Sequence, residues 1–181
     1  GQLARWLYVK HIENPMLMTD IPAARRALLA ERFRQVLTPP ERVTESADGT
    51  KKYLFRTQQG AYIESAYIPD GDRATLCVSS QAGCRMGCRF CASTIGGLVR
   101  CLTPSEMLDQ IYRIWEDTGE RVSNLVVMGT GEPMDNYDNL VRFVRLLSSQ
   151  EGLNISQRNI TVSTCGIVPN MYKLADEGLQ I

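Results

Sequence analysis

Three cysteines fall close together in GCRMGCRFC: Cys84, Cys88 and Cys91, a C-x3-C-x2-C spacing. Thiolates are soft ligands that suit iron–sulfur clusters or zinc. Three thiolates on a four-iron cubane leave one iron without a protein ligand, and an open coordination site marks a reactive centre. Gly83 and Gly87 let the backbone wrap closely around a bulky group. Two other readings stand beside this one. The three could bind zinc with Cys77, Cys101 or His11 as a fourth ligand, or could simply pack. The chain has six cysteines. Their clustering, with no secretion signal in GQLARWLYVKHI, favours metal or redox chemistry over a disulfide framework.

Other residues gain interest from position. Glu132 lies in GTGEP just after an expected strand, where Gly129 and Gly131 would allow a ligand close backbone approach. Its plain reading is a capped strand-to-helix turn. Ser163 ends the next strand and by itself reads as a turn hydroxyl. Glu64 sits in the strand AYIESAYIP and by itself reads as a solvated side chain. Cys77 precedes the cysteine cluster by seven residues.

The elements that must position these residues are legible in part. Residues 1–45 read as helical, with Pro22 at a helix start, apolar Ala27, Leu28, Phe33 and Val36 at helical spacing, and Thr38-Pro39-Pro40 as its end. The stretch 45–52, with Asp48-Gly49, reads as a linker, placing a domain boundary between a small helical accessory domain (1–45) and the remainder (46–181). Strands are expected over 53–57, 62–68 and 74–79, with turns at Gln59-Gly60 and Pro69-Asp70-Gly71-Asp72. From Cys84 the pattern alternates. Thr103-Pro104-Ser105-Glu106 is a capping box that opens a helix to about Glu116. A buried strand follows over 124–128, then a helix over 137–149, a strand over 159–163, a helix from Pro169 to Glu177, and a new strand from Leu179. The fold class is therefore α/β: a parallel sheet with right-handed crossovers, either doubly wound or part of a β/α barrel. A chain ending as a strand begins is expected to continue beyond residue 181.

Composition narrows the function classes. The chain has 181 residues, with Lys plus Arg and Asp plus Glu both at 20 and formal net charge zero. This excludes a charge-driven coat for nucleic acid or anionic membranes, though not a local basic groove. Hydrophobic residues make up 44%, typical of a globular chain, and no apolar run is long enough to span a bilayer. A cytoplasmic protein is expected. Arginine dominates the basic set and suits RNA contacts; Arg85, Arg89 and Arg100 flank the cysteine loop and could approach RNA or a cofactor.

Four blocks in order carry a family resemblance: ARWLYVKHI (4–12), ATLCVSSQAGCRMGCRFCA (74–92), VVMGTGEPMDN (126–136) and NITVSTCGIVP (159–169). They resemble the radical S-adenosylmethionine adenine-C2 methyltransferases of 23S ribosomal RNA and tRNA, the RlmN family with its Cfr relatives. The resemblance spans the chain and implies a partial radical-SAM (β/α) barrel behind a helical domain and a β-hairpin region. It implies that Cys84, Cys88 and Cys91 hold a [4Fe-4S] cluster whose open iron is chelated by S-adenosyl-L-methionine. It implies that Gly131, Glu132 and Ser163 contact that cofactor. Glu64 corresponds to the family's general base, expected in a dry pocket. Cys77 corresponds to the thiol that resolves, as a disulfide, the adduct formed through a methylcysteine. The methyl-carrying cysteine would lie beyond residue 181, so residues 1–181 correspond to roughly the first half of such an enzyme and should not methylate alone. Neither Cys101 nor Cys165 stands in its context; both read as buried packing cysteines. Implied partners are 23S rRNA, tRNA and an electron donor such as flavodoxin or ferredoxin, with the full-length enzyme a monomer. The alternatives are another radical enzyme acting on a small molecule, or a zinc-stapled binding module.

Overall fold

The computed structural model describes residues 1–10, 12, 14–32, 39–71 and 73–181. It has one six-stranded sheet in the order β1-β2-β3-β4-β7-β8 and a two-stranded sheet, β5-β6. The strands are β1 (Arg42–Glu45), β2 (Lys51–Arg56), β3 (Tyr62–Asp70), β4 (Arg73–Cys77), β5 (Gln81–Gly83), β6 (Leu98–Cys101), β7 (Asn124–Val127) and β8 (Ile160–Val162). Strands β1 to β4 form an antiparallel meander, whereas β4, β7 and β8 run parallel. The sheet is thus mixed, with parallel strands added in one direction.

The helices are α1 (Gln2–Ala4), α2 (Ala23–Arg32), α3 (Pro104–Thr118), α4 (Tyr137–Ser148) and α5 (Val168–Asp176). One face of the sheet is fully covered. Tyr53, Phe55, Ile63, Tyr67, Leu76, Leu125, Val127 and Ile160 alternate onto it and pack in one core with Met107, Ile111 and Ile114 of α3 and Leu140, Phe143, Val144 and Leu147 of α4. Buried Gln110 of α3 ties β3 and the segment just after β4 to this layer: it accepts from Ser65 Oγ (2.7 Å) and Ser79 N (2.8 Å) and donates to Ser79 O (3.0 Å). The other face, carrying Leu54, Glu64, Ala66, Cys77, Val126 and Thr161, is exposed or half-buried. Helices α3 and α4 on one face, with sequential parallel strands, give the singly wound arrangement of a β/α barrel rather than a doubly wound sheet.

Several expectations need correction. The linker expected over 45–52 is the turn of the β1–β2 hairpin, since Glu45 pairs with Lys51 across it. Helix α3 runs two residues past Glu116, to the left-handed stop at Gly119. No strand forms over 179–181; Gln180 N instead donates to the Gln157 side chain (2.8 Å), while Leu179 and Ile181 pack against the core. Leu28 of α2 is 49% exposed rather than packed; Phe33, Val36, Thr38, His11 and Asp72 lie outside the described residues. Trp6, Met18 and Ile21 form a small core of their own near the amino terminus.

The capping box is present as expected: Thr103 Oγ1 accepts from Glu106 N (3.3 Å) and the Glu106 carboxylate from Thr103 N (2.9 Å). The same carboxylate, in a residue 4% exposed, takes both terminal nitrogens of Arg100. Burial alone would raise the Glu106 carboxyl, but the bonds from Arg100 and Thr103 outweigh it and hold it below the ordinary 4.5. A carboxyl lowered on folding stabilises the fold above its unfolded value, and that stabilisation disappears as pH falls through the folded one. Glu106→Gln is therefore expected to cost about 2–3 kcal/mol at pH 7. Urea unfolding at a series of pH values should show this gap closing progressively below about pH 4; a gap that does not narrow would contradict the assignment.

Candidate functional site

The three clustered cysteines sit on one loop, residues 84–97, held between β5 and β6. Its stem is tight. Cys84 N donates to Gly97 O (3.0 Å), and Gly83 has φ +73°, where an added Cβ would lie 2.0 Å from Gly97 O. Only glycine allows that closure. Within the loop Cys91 N donates to Cys88 O (3.0 Å) and Thr94 Oγ1 to Cys91 O (3.0 Å). Cys84 is buried, Cys88 and Cys91 half-buried, and all three are free thiols. Two apolar side chains of the loop, Phe90 and Ile95, are 93% and 87% exposed.

The loop packs beside the GTGEP segment at the C-terminal ends of the parallel strands. Gly129 and Gly131 leave room here for Ser79 and Gln81. An added Cβ would lie 2.7 Å from Ser79 Oγ at the first position and 2.5 Å from Gln81 Cβ at the second. Glu132 is 4% exposed. Its carboxylate accepts from Met134 N (2.9 Å), Thr164 Oγ1 (2.6 Å) and Cys165 N (2.8 Å). It thus caps the 3-10 turn Pro133–Asn136 and clamps the loop after β8. Ser163, in that loop, is exposed and extends the ladder through its N–H to Val127 O (3.3 Å).

Cys77 ends β4 on the open sheet face, half-buried. Burial pushes its thiol up, and a bond from the Met128 backbone draws it back. Glu64 lies on the same face because β3 alternates, and Ala66 pairs with Cys77. The dry pocket expected around Glu64 is absent: its side chain is 49% exposed and bonds Lys52 Nζ at 2.8 Å. Cys165 is likewise exposed rather than buried, because the loop after β8 turns it toward Glu132. A thiol bond to that carboxylate, then burial, pushes it up to about 11. Arg85 and Arg100 are paired rather than free cations: Arg85, its side chain still 61% exposed, with Asp135, and Arg100 with Glu106.

Sequence reading missed the buried polar residues that join these loops. Asn136 donates to Ser80 O and Leu102 O (both 2.8 Å), and Gln81 bonds Glu132, Asp135 and Cys101. Their inclusion in the quoted blocks, Gln81 in 74–92 and Asp135 and Asn136 in 126–136, was the one hint of them.

Residues 78–180 match the sequence model of the Radical SAM superfamily, over more than half of the chain. The chain belongs to the Radical SAM superfamily. A "Probable dual-specificity RNA methyltransferase RlmN" of Lachnospira eligens is 58% identical over 100% of this chain and 52% of its own length. The protein of that name in Lachnoclostridium phytofermentans is 55% identical over 99% of this chain and 51% of its own. The crystal structure of a radical SAM methyltransferase from Sphaerobacter thermophilus superposes with a TM-score of 0.91 at 43% identity, covering 99% of this chain and 54% of that one. The chain therefore spans about half the length of the curated relatives it matches.

Superfamily membership implies an iron–sulfur cluster and S-adenosylmethionine. The residues fit a cluster. One short loop carries three free thiols, the soft donors that a cluster takes. Among the described residues no helix is long and apolar enough to cross a membrane.

Proposed function

We propose that the protein methylates carbon 2 of an adenosine in 23S rRNA and tRNA. The observation that carries this reading is the gathering of the thiolate loop and GTGEP loop at one sheet end, with Cys77 and Glu64 on the adjoining open face. The 58% identity to a protein named for RNA methylation supplies the substrate class.

In this reading Cys84, Cys88 and Cys91 hold a [4Fe-4S] cluster through one thiolate each. Bound cluster and S-adenosylmethionine supply a reducing electron, a methyl group and the means to abstract hydrogen from a methyl. The Gly131–Glu132 segment and Ser163 border the place for the methionine end of the cofactor. Because the Glu132 carboxylate already takes three donors from its own chain, its main contribution is to hold the two loops in place. Cys77 offers the thiol that resolves the covalent RNA adduct, closing a disulfide with a second cysteine in the part of the relatives that this chain does not span. Glu64 removes the ring proton, with Lys52 steadying its carboxylate. The segment ahead of β1 serves as an accessory unit that helps hold RNA.

The full-length protein, reconstituted anaerobically with iron and sulfide, should be incubated with S-adenosylmethionine, a flavodoxin reducing system and unmodified 23S rRNA or tRNA. Nucleoside mass spectrometry is expected to find 2-methyladenosine. Absence of methylation in both RNAs, or 8-methyladenosine instead, would overturn the reading.

A further inference from the structure

Gln81 lies on β5, three residues before Cys84, and is completely buried. One amide makes three contacts. Its Oε1 accepts from the backbone N–H of Glu132 (2.8 Å), and its Nε2 donates to Asp135 Oδ2 (2.9 Å) and lies 3.3 Å from Cys101 Sγ. Its own N–H donates to Thr130 O (3.1 Å). The Gln81 side chain fills the space that any Cβ at Gly131 would need. Asp135 is gripped from the other side by Arg85, the residue after Cys84: Arg85 Nε reaches Oδ2 at 2.9 Å and its Nη2 takes the other oxygen. One hydrogen-bonded path thus runs from the Glu132 backbone through Gln81 and Asp135 to the first turn of the thiolate loop.

We propose that Gln81 is a positioning residue that fixes the thiolate loop relative to the Glu132 loop, and so sets the affinity for S-adenosylmethionine. This rests on the reading that these two loops together take that cofactor. The position demands an acceptor and a donor at once. Glutamate would keep the acceptor for Glu132 N–H but oppose a second oxygen to Asp135. Methionine would fill the volume and leave the Glu132 N–H unpaired in a dry place. Both changes leave all three thiolates intact. They should therefore separate cofactor affinity from cluster content, which general unfolding would lower together.

The test uses the full-length reconstituted protein, with iron per chain measured chemically and the S-adenosylmethionine Kd taken from the titrated change in the electron paramagnetic resonance spectrum. Gln81→Glu and Gln81→Met are each expected to keep iron within about twofold of the parent and to weaken Kd at least about tenfold, the scale typical of groups that orient ligands at one remove. Parent-like Kd in both variants would overturn the proposal. So would iron lost in step with affinity in Gln81→Met. A parent whose cluster spectrum ignores S-adenosylmethionine would instead overturn the cofactor reading on which the proposal rests.

Discussion

Replacing any one of Cys84, Cys88 or Cys91 by alanine is expected to reduce bound iron to background and abolish the visible absorption of the cluster. Cys101→Ala and Cys165→Ala should leave iron within about twofold of the parent, since neither thiol lies on the ligand loop. The asymmetry follows from geometry. In the proposed reading the loop between β5 and β6 contributes three thiolates to a four-iron cluster and one iron lacks a protein ligand, so losing one thiolate leaves a cluster anchored by only two. The Gly83 closure onto Gly97 fixes the loop ends, so no other cysteine can be drawn in by sliding the stem. Cys165 stands on the loop after β8, outside that stem, and the neighbouring Glu132 carboxylate pushes its thiol up to about 11, which opposes its ionising to a ligand. Anaerobic reconstitution of the five variants with iron quantification decides the matter. Loss of the cluster in Cys165→Ala would show that the ligand set is wrong.

Glu132→Ala is expected to destabilise the protein even before any cofactor binds. The carboxylate is almost completely buried, and its removal leaves Met134 N, Thr164 Oγ1 and Cys165 N without their acceptor. Unpaired buried donors cost about 1–3 kcal/mol each, less where the loop relaxes toward water. A loss of about 3–5 kcal/mol follows, or a fall in melting temperature of about 10 °C for a domain of this size. Glu132→Gln keeps one acceptor oxygen and the side-chain volume, and should lose less than half as much. Thermal unfolding of the cluster-free protein isolates this effect from cofactor binding. Unchanged melting in Glu132→Ala would mean that the clamp on the loop after β8 contributes nothing to the fold.

The alternation of helix and strand beyond Cys84 was legible because each signal is local. The capping box at Thr103, the apolar run at 124–127 and the helical spacing of Leu140, Phe143, Val144 and Leu147 need no knowledge of neighbours. Strands β1, β5 and β6 were not legible, because they are short and lack the nearly continuous apolar run that marks β7. Arg42–Glu45 is exposed throughout and becomes a strand only by pairing with β2. The candidate site shows the same division. The cysteine spacing announced itself, whereas Gln81, Gln110 and Asn136 look like surface residues until the fold encloses them. The glycines of GTGEP were visible, but their reason was not. They make room for Ser79 and Gln81, residues some fifty positions earlier that only the sheet brings close. Cys165 misled for a related reason: free cysteines are commonly buried, and nothing local reveals that Glu132 holds this one at the surface.

In the proposed reading the thiolate loop and the Glu132 loop form one site for a cluster with an open iron. The most direct measurement is the electron paramagnetic resonance spectrum of the reduced, reconstituted full-length protein, recorded with and without S-adenosylmethionine. A four-iron signal that changes when the cofactor is added is the expected result. A signal indifferent to the cofactor, or a protein that binds one zinc and no iron, would contradict the claim.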